Sequence, residues 1–374
     1  MPKLLRYSLF FVGGCLLGAV CLWLFRPQLL SLGLARRASL SGGSVWTGED
    51  SPQQTDLTQP APAPPPSIKI LFTGDVMLDR HIRTMAQNSE QGYFSLLDEP
   101  LQQLLYEQVL VVINLEGPIT DQPSVSVGSE PGSPPNFRFT FEPAITEFLA
   151  AHQMLLANLG NNHMLDFGQE GLISTLNYLH QDGIEHFGWV ANSPALEEYN
   201  REVLLLEVQG FLLGFVNLNQ FSNQQFSQVL EAVQEARPQA DYLIVYTHWG
   251  EEYQSEPNAQ IKQQAAQLAE AGADLIIGTH PHVIQPVETI GNTQVYYSLG
   301  NFIFDQYFSA EVKRGMLVQL ELKRGEQEIS VEGNGETQVE GESKDINEAE
   351  KIQTKFKEYY VQMEANQPVS LDLL

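Results

Sequence analysis

The chain has 374 residues, with 46 Asp and Glu against 20 Lys and Arg, a formal net charge of -26. That balance excludes a general nucleic-acid binder and a polybasic membrane-surface domain, because both draw their affinity from Lys and Arg. A hydrophobic share of 43% and an aromatic share of 10% exclude a chain disordered throughout, and the length suffices for one large domain or two modest ones.

Lys3 and Arg6 precede an uncharged, mostly apolar run over residues 8–25, which Arg26 ends. As a helix the run spans about 27 Å, close to the thickness of a bilayer core. No small-x-small cleavage site comes after it, so residues 1–26 are expected to form an uncleaved, single-pass signal anchor rather than a removed signal peptide. Val12-Gly13-Gly14-Cys15 resembles a lipobox only loosely, since the apolar run before it is too short. Basic residues flank both ends of the run, so an outward-facing domain is inferred from the segments C-terminal to the run rather than from the charges. Cys15 and Cys21 are the only cysteines, and a metal site elsewhere must use His, Asn, Asp and Glu. Residues 27–67 read as a linker, rich in Ser, Gln and Thr and closed by Pro60, Pro62, Pro64, Pro65 and Pro66.

From Ile68 the composition changes. Residues 68–72, 109–113, 154–157, 243–246 and 275–277 read as buried strands. Residues 168–180 and 259–271 read as helices, with Ile261, Ala265 and Leu268 on one face. Such alternation predicts an α/β domain over residues 68–323. Residues 203–208, 211–216 and 295–298 are expected to be antiparallel strands, and 316–322 to extend that sheet. Residues 326–350 carry nine acids and one Lys and read as a solvated acidic segment. Beyond it, Ile352, Phe356, Tyr359, Tyr360 and Met363 recur at helical spacing and predict a C-terminal helix within residues 324–374.

Each of the five buried strands ends in a polar cluster: Thr73-Gly74-Asp75, Asn114-Leu115-Glu116-Gly117, Gly160-Asn161-Asn162-His163, Thr247-His248-Trp249-Gly250-Glu251 and Gly278-Thr279-His280-Pro281-His282. Ligands of α/β sheets bind beyond the carboxyl ends of the strands. The clusters could therefore converge on two carboxylates, an amide and four histidines. That set suits one or two divalent metal ions, with Mn, Zn, Fe and Mg not distinguished. The other histidines, His81, His152, His180 and His186, read as structural, with His81 set apart by its closeness to Asp75.

The segments FTGDVMLDR, INLEGPIT, NNHMLDFG, THWGEEY, GTHPHVIQPVE and YYSLGNFIFDQ, taken together and in order, resemble the CapA family of poly-γ-glutamate capsule synthesis proteins. The resemblance covers roughly residues 68–306. It implies a calcineurin-like metallophosphoesterase fold, an α/β/β/α sandwich of two mixed sheets flanked by helices. It also implies attachment to the outer face of the cytoplasmic membrane and a part in making or exporting an anionic capsule polymer. The partners it implies are that polymer or its precursor and membrane synthase or export subunits. Carried onto this chain, it makes Asp75 and His282 ligands of a first metal, Glu116 the bridging carboxylate, and Asn162, His248 and His280 ligands of a second. His163 becomes the general acid, with Asp166 either bonded to it or capping the next helix. The first phosphoesterase motif is Asp-x-His, and here Met77 stands at the histidine's position, a poor ligand for hard metals. Arg138 is a candidate clamp for phosphate or carboxylate, or else a surface strand residue. Trp249, Glu251 and Tyr253 are candidates for substrate contact. Asn301 is a candidate for the substrate side of the cleft or, with Asp305, for supporting the ligands. Two functions are open: a metal-dependent hydrolase or transferase, or a non-catalytic subunit of an export complex that keeps the fold.

Overall fold

The computed structural model describes residues 67–191, 197–325 and 352–372. They lie in one compact unit, Pro62–Leu374. The expected anchor, most of the linker and the acidic segment lie outside the described residues. Among the described residues, no helix is long and apolar enough to cross a membrane.

In chain order the strands are β1 (Ser67–Val76), β2 (Leu110–Leu115), β3 (Leu156–Asn158), β4 (Glu185–Phe187), β5 (Val203–Val208), β6 (Phe211–Asn219), β7 (Tyr242–His248), β8 (Leu275–Thr279), β9 (Val287–Ile290), β10 (Thr293–Tyr296), β11 (Asn301–Ile303), β12 (Arg314–Arg324), β13 (Ile352–Gln362) and β14 (Ser370–Asp372). The helices are α1 (Arg80–Asn88), α2 (Glu99–Tyr106), α3 (Ile145–Ala151), α4 (Gly168–Gln181), α5 (Phe226–Ala236) and α6 (Ala259–Ala271). One sheet runs β14-β13-β12-β1-β2-β3-β4, with β11 beside β1, and the other runs β5-β6-β7-β8-β10-β9. Both are mixed. The expected antiparallel pairing holds for β5 with β6, while β6 is parallel to β7. Likewise β10 is antiparallel to β9 and parallel to β8.

Side-chain alternation along the strands builds the layers. Ile68, Ile70 and Phe72 of β1 join Leu213 and Phe215 of β6 and Ile244 and Tyr246 of β7 in a core between the sheets. Leu71, Val111 and Ile113 face the opposite way, onto Ile82, Leu101, Phe148 and Leu172 of helices α1 to α4. Val216, Leu243, Val245 and Ile276 face outward onto Val229, Val233, Ile261 and Leu268 of α5 and α6. The result is the expected sandwich of two mixed sheets flanked by helices.

The C-terminal expectation is corrected. The stretch read as a helix is β13, paired antiparallel with β12 from Arg314↔Gln362 to Arg324↔Ile352. Ile352, Phe356 and Tyr360 are spaced by four, and an even spacing shares one face of a strand as well as of a helix. All three pack on the core between the sheets, whereas Tyr359, Val361 and Met363 pack toward the helices. The first sheet therefore extends beyond residue 323 to Asp372.

Candidate metal centre

The strand ends bring two lateral rows of polar residues together. In the first sheet Asn301, Asp75, Asn114 and Asn158 are direct neighbours across β11, β1, β2 and β3. In the second sheet Asn219, His248 and Thr279 are neighbours across β6, β7 and β8. Gly74 permits the first row, since a Cβ there would lie 1.8 Å from the Gly300 carbonyl oxygen.

Asp75, Glu116, His248, His280 and His282 are all buried. Their ligand atoms form overlapping groups, Asp75 with Glu116 and His282, and Glu116 with His248 and His280, each within 4.8 Å. Asp75 Oδ1 accepts from Asn114 Nδ2 at 2.8 Å and Oδ2 from the His280 backbone N–H at 3.2 Å. His282 Nδ1 lies 3.0 Å from Asn301 Oδ1 and 3.1 Å from Asp75 Oδ2, two acceptors that assign its proton to Nδ1. Its Nε2 is then a free lone pair, 3.9 Å from Glu116 Oε1. Asn162, exposed on the loop after β3, places Oδ1 2.8 Å from His248 Nε2. The six expected ligands thus come together.

Neither oxygen of Glu116 has a hydrogen-bond partner, nor has His280 Nδ1. Burial, followed by the charges of Asp75 and Glu252, pushes the Glu116 carboxyl well above the ordinary carboxylate range. Burial, with His280 and His282 next, holds the His248 imidazole well below its usual value. His280 is pushed down to about 3 by burial and then by His282. A buried carboxylate with no donors, facing imidazoles kept neutral, is a costly arrangement on its own. A cation removes the cost, so the donor set fits a divalent metal with mixed nitrogen and oxygen ligands.

His163 stands beside this cluster. Its Nδ1 is 2.9 Å from Asp166 Oδ2, and its Nε2 is 3.9 Å from Glu116 Oε1. Asp166 therefore bonds His163; the same Oδ2 also accepts from the Phe139 backbone N–H at 2.8 Å. The Phe139 ring lies 4.3 Å from the His163 ring and walls it on one side.

The other candidate residues differ in their surroundings. Trp249 is fully buried against Tyr297, with Nε1 donating to the Tyr297 carbonyl at 2.9 Å, so it cannot touch substrate. Period-two alternation explains it: His248 faces the site and its neighbour faces α5 and α6. Asn301 is buried and holds His282, a supporting rather than a substrate-facing role. Arg138 is exposed, but its guanidinium donates to the Asp166 carbonyl at 3.0 and 3.3 Å and lies over Phe167, so it braces the His163 loop. Glu251 is exposed and faces Asn258 at 3.5 Å; it joins no ligand group, whereas its neighbour Glu252 groups with His280 and His282. Met77 is buried in the helix-side core, its Sδ accepting from the Asp79 N–H at 3.1 Å.

Sequence reading missed Glu252, Asn158, Asn217 and Arg80. Arg80 pairs with Asp305, lies over Phe139 and Phe304, and lines a cleft of about 560 Å³ with Asn136, Phe137, Tyr253 and Phe308. A polar residue closing an apolar strand was the available signal for Asn158 and Asn217.

The fold and donor set define an α/β protein with a buried His and carboxylate centre. The profile of the family described as bacterial capsule synthesis protein PGA_cap matches residues 69–306. The chain belongs to that family. It is 27% identical over 267 residues to the PGA biosynthesis protein CapA of Bacillus subtilis, covering 68% of this chain and 67% of that protein. It is 26% identical over 272 residues to the capsule biosynthesis protein CapA of Bacillus anthracis, covering 68% of this chain and 64% of that protein. Among solved structures it is similar to a 5′-nucleotidase precursor from Thermus thermophilus, at 15% identity and a TM-score of 0.41, over 69% of this chain and 52% of that one.

Proposed function

We propose that this chain is a membrane-tethered, metal-dependent hydrolase or transferase of capsule or extracellular polymer biosynthesis, of the poly-γ-glutamate type. Its globular part faces outward from the cytoplasmic membrane. Its substrate is an anionic polymer or the precursor of one, handed on with membrane synthase or export subunits. Family membership supports the biosynthetic setting, and the apolar run over residues 8–25 supports the tether. The observation that carries the chemistry is Glu116, a fully buried carboxylate with neither oxygen bonded and histidines on two sides.

Asp75, Glu116 and His282 would hold one cation, and Glu116, His248, His280 and Asn162 a second. When bound, the metal supplies Lewis-acid activation of a water and of the substrate's phosphoryl or acyl oxygen. The rest falls to the chain. Asn301 fixes the His282 proton on Nδ1, so that Nε2 presents its lone pair. Asp166 orients His163 through Nδ1, leaving Nε2 to pass a proton to the leaving atom of the substrate. Phe139 excludes water from one face of that ring.

The test compares two variants of the full chain. His163→Ala removes the proton donor and should lower turnover by about 10²–10⁴-fold at unchanged metal content. His280→Ala should lose metal and turnover together. Elemental analysis and a screen on phosphodiester and amide substrates read both. Absence of hydrolysis by metal-loaded wild type would leave the non-catalytic export subunit as the reading, whereas full activity in His163→Ala would remove His163 as the proton donor. The observation favouring that alternative is Met77, a core residue where the phosphoesterase motif has a metal-binding histidine.

A further inference from the structure

Met77 leaves the first cation position with Asp75, Glu116 and His282 and no fourth side chain from β1. The loop after β7 offers one. We propose that Glu252 is a metal ligand, closing from the mouth of the site the position left open by Met77. This rests on the metal-centre reading above.

Three observations carry it. The Glu252 carboxylate and the ligand atoms of His280 and His282 lie within 4.8 Å of one another, and each histidine also belongs to a group that contains Glu116. Glu252 therefore faces both cation positions from the solvent side, while Glu116 faces them from the interior. His280 is 4% exposed and its Nδ1 has no partner, so a buried, unpaired nitrogen lies in one of the two rings that group with Glu252. The turn that presents Glu252 is also built. Gly250 at φ 85° and Tyr253 at φ 63° reverse the chain, and the Tyr253 N–H donates to the Pro281 carbonyl at 2.8 Å. That bond ties the Glu252 turn to Pro281, the residue between the two histidines. Glu252 is exposed, so it can release or accept a cation without unpacking the core.

The experiment measures Mn2+ stoichiometry and affinity by equilibrium dialysis on the full chain in detergent, for wild type, Glu252→Ala, Glu252→Asp and Glu251→Ala. Loss of residues that merely support a metal ligand already costs about 10–100-fold in affinity. Glu252→Ala should therefore weaken the less tightly held ion at least about tenfold, with Glu252→Asp intermediate. Glu251→Ala removes the same charge from the same loop and should leave affinity unchanged. Wild-type affinity in Glu252→Ala overturns the proposal, and so does an equal loss in Glu251→Ala, which would mark a general field effect. Wild type that binds no Mn2+, Zn2+ or Fe2+ overturns the metal-centre reading itself, a result distinct from either of those.

Discussion

His152 closes α3 with its ring buried among Phe94, Tyr106 and Phe148. Its Nδ1 donates to the Phe148 carbonyl at 2.7 Å, and its Nε2 has no partner. Burial lowers its pKa, against the smaller opposing effect of that backbone bond. The unfolded chain therefore takes up a proton near pH 6.5 that the folded chain refuses. Stability is complete above that pH and declines as pH falls toward the folded value, by at most about 1.4 kcal/mol per pH unit for this one group. His152→Gln keeps a donor for Phe148 and removes the titration. Thermal unfolding of the two chains between pH 5 and pH 8 should show a shallower acid decline in the variant; parallel curves would refute this account. The expected ligands were legible because each lies at or shortly after the end of an apolar strand. Glu252 was not, because choosing between Glu251 and Glu252 depends on the left-handed residues Gly250 and Tyr253, whose backbone angles no local pattern announces.

Elements carry a different kind of legibility. Helix α6 matches its expected range because Asn258 accepts from the Ile261 N–H at its start and Gly272 adopts φ 114° at its end. Strand β13 was misread because its apolar residues sit four apart, and what settles the choice is a partner outside the segment, the edge of β12. Without β13 that edge would present a row of unpaired backbone groups. Val361 and Met363 would also leave the core, with Val369 beyond them. A chain ending at Arg324 should consequently be insoluble, or unfold at a temperature lower by about 10 °C or more, losses of buried apolar side chains costing about 2–5 kcal/mol each. Soluble yield and calorimetry of the truncated chain against the full one decide it. An equally stable truncated chain would show that β13 is an accessory strand.

Across the whole molecule, the expected ligands come from both sheets, from β1, β2 and the loop after β3 on one side and from β7 and the loop after β8 on the other. Besides the core between them, hydrogen bonds join the sheets near this point, among them that of Tyr246, whose hydroxyl donates to the Thr73 carbonyl at 2.5 Å. A cation held at the centre binds only the folded arrangement, so it should stabilise the chain by about 2.7 kcal/mol at a hundredfold excess over its dissociation constant. Chelation should lower the unfolding temperature, and adding back Mn2+ or Zn2+ should restore it. No change on chelation of a metal-loaded sample would place the ion outside the folded core.

One line of side chains joins the two sheets. Asn217 Nδ2 donates to Asn158 Oδ1 at 3.0 Å, Asn158 Nδ2 to Asn114 Oδ1 at 2.9 Å, and Asn114 Nδ2 to Asp75 Oδ1 at 2.8 Å. Every amide points the same way, from the second sheet into the first, and the line ends on a carboxylate. Hydrogen bonds in such a series polarise one another. Amides neither gain nor lose protons in the range where imidazoles and carboxylates do. The line therefore behaves as an electrical insulator with a fixed polarity: it aims Asp75, yet offers no conduit along which a proton could pass through the interior from one sheet to the other.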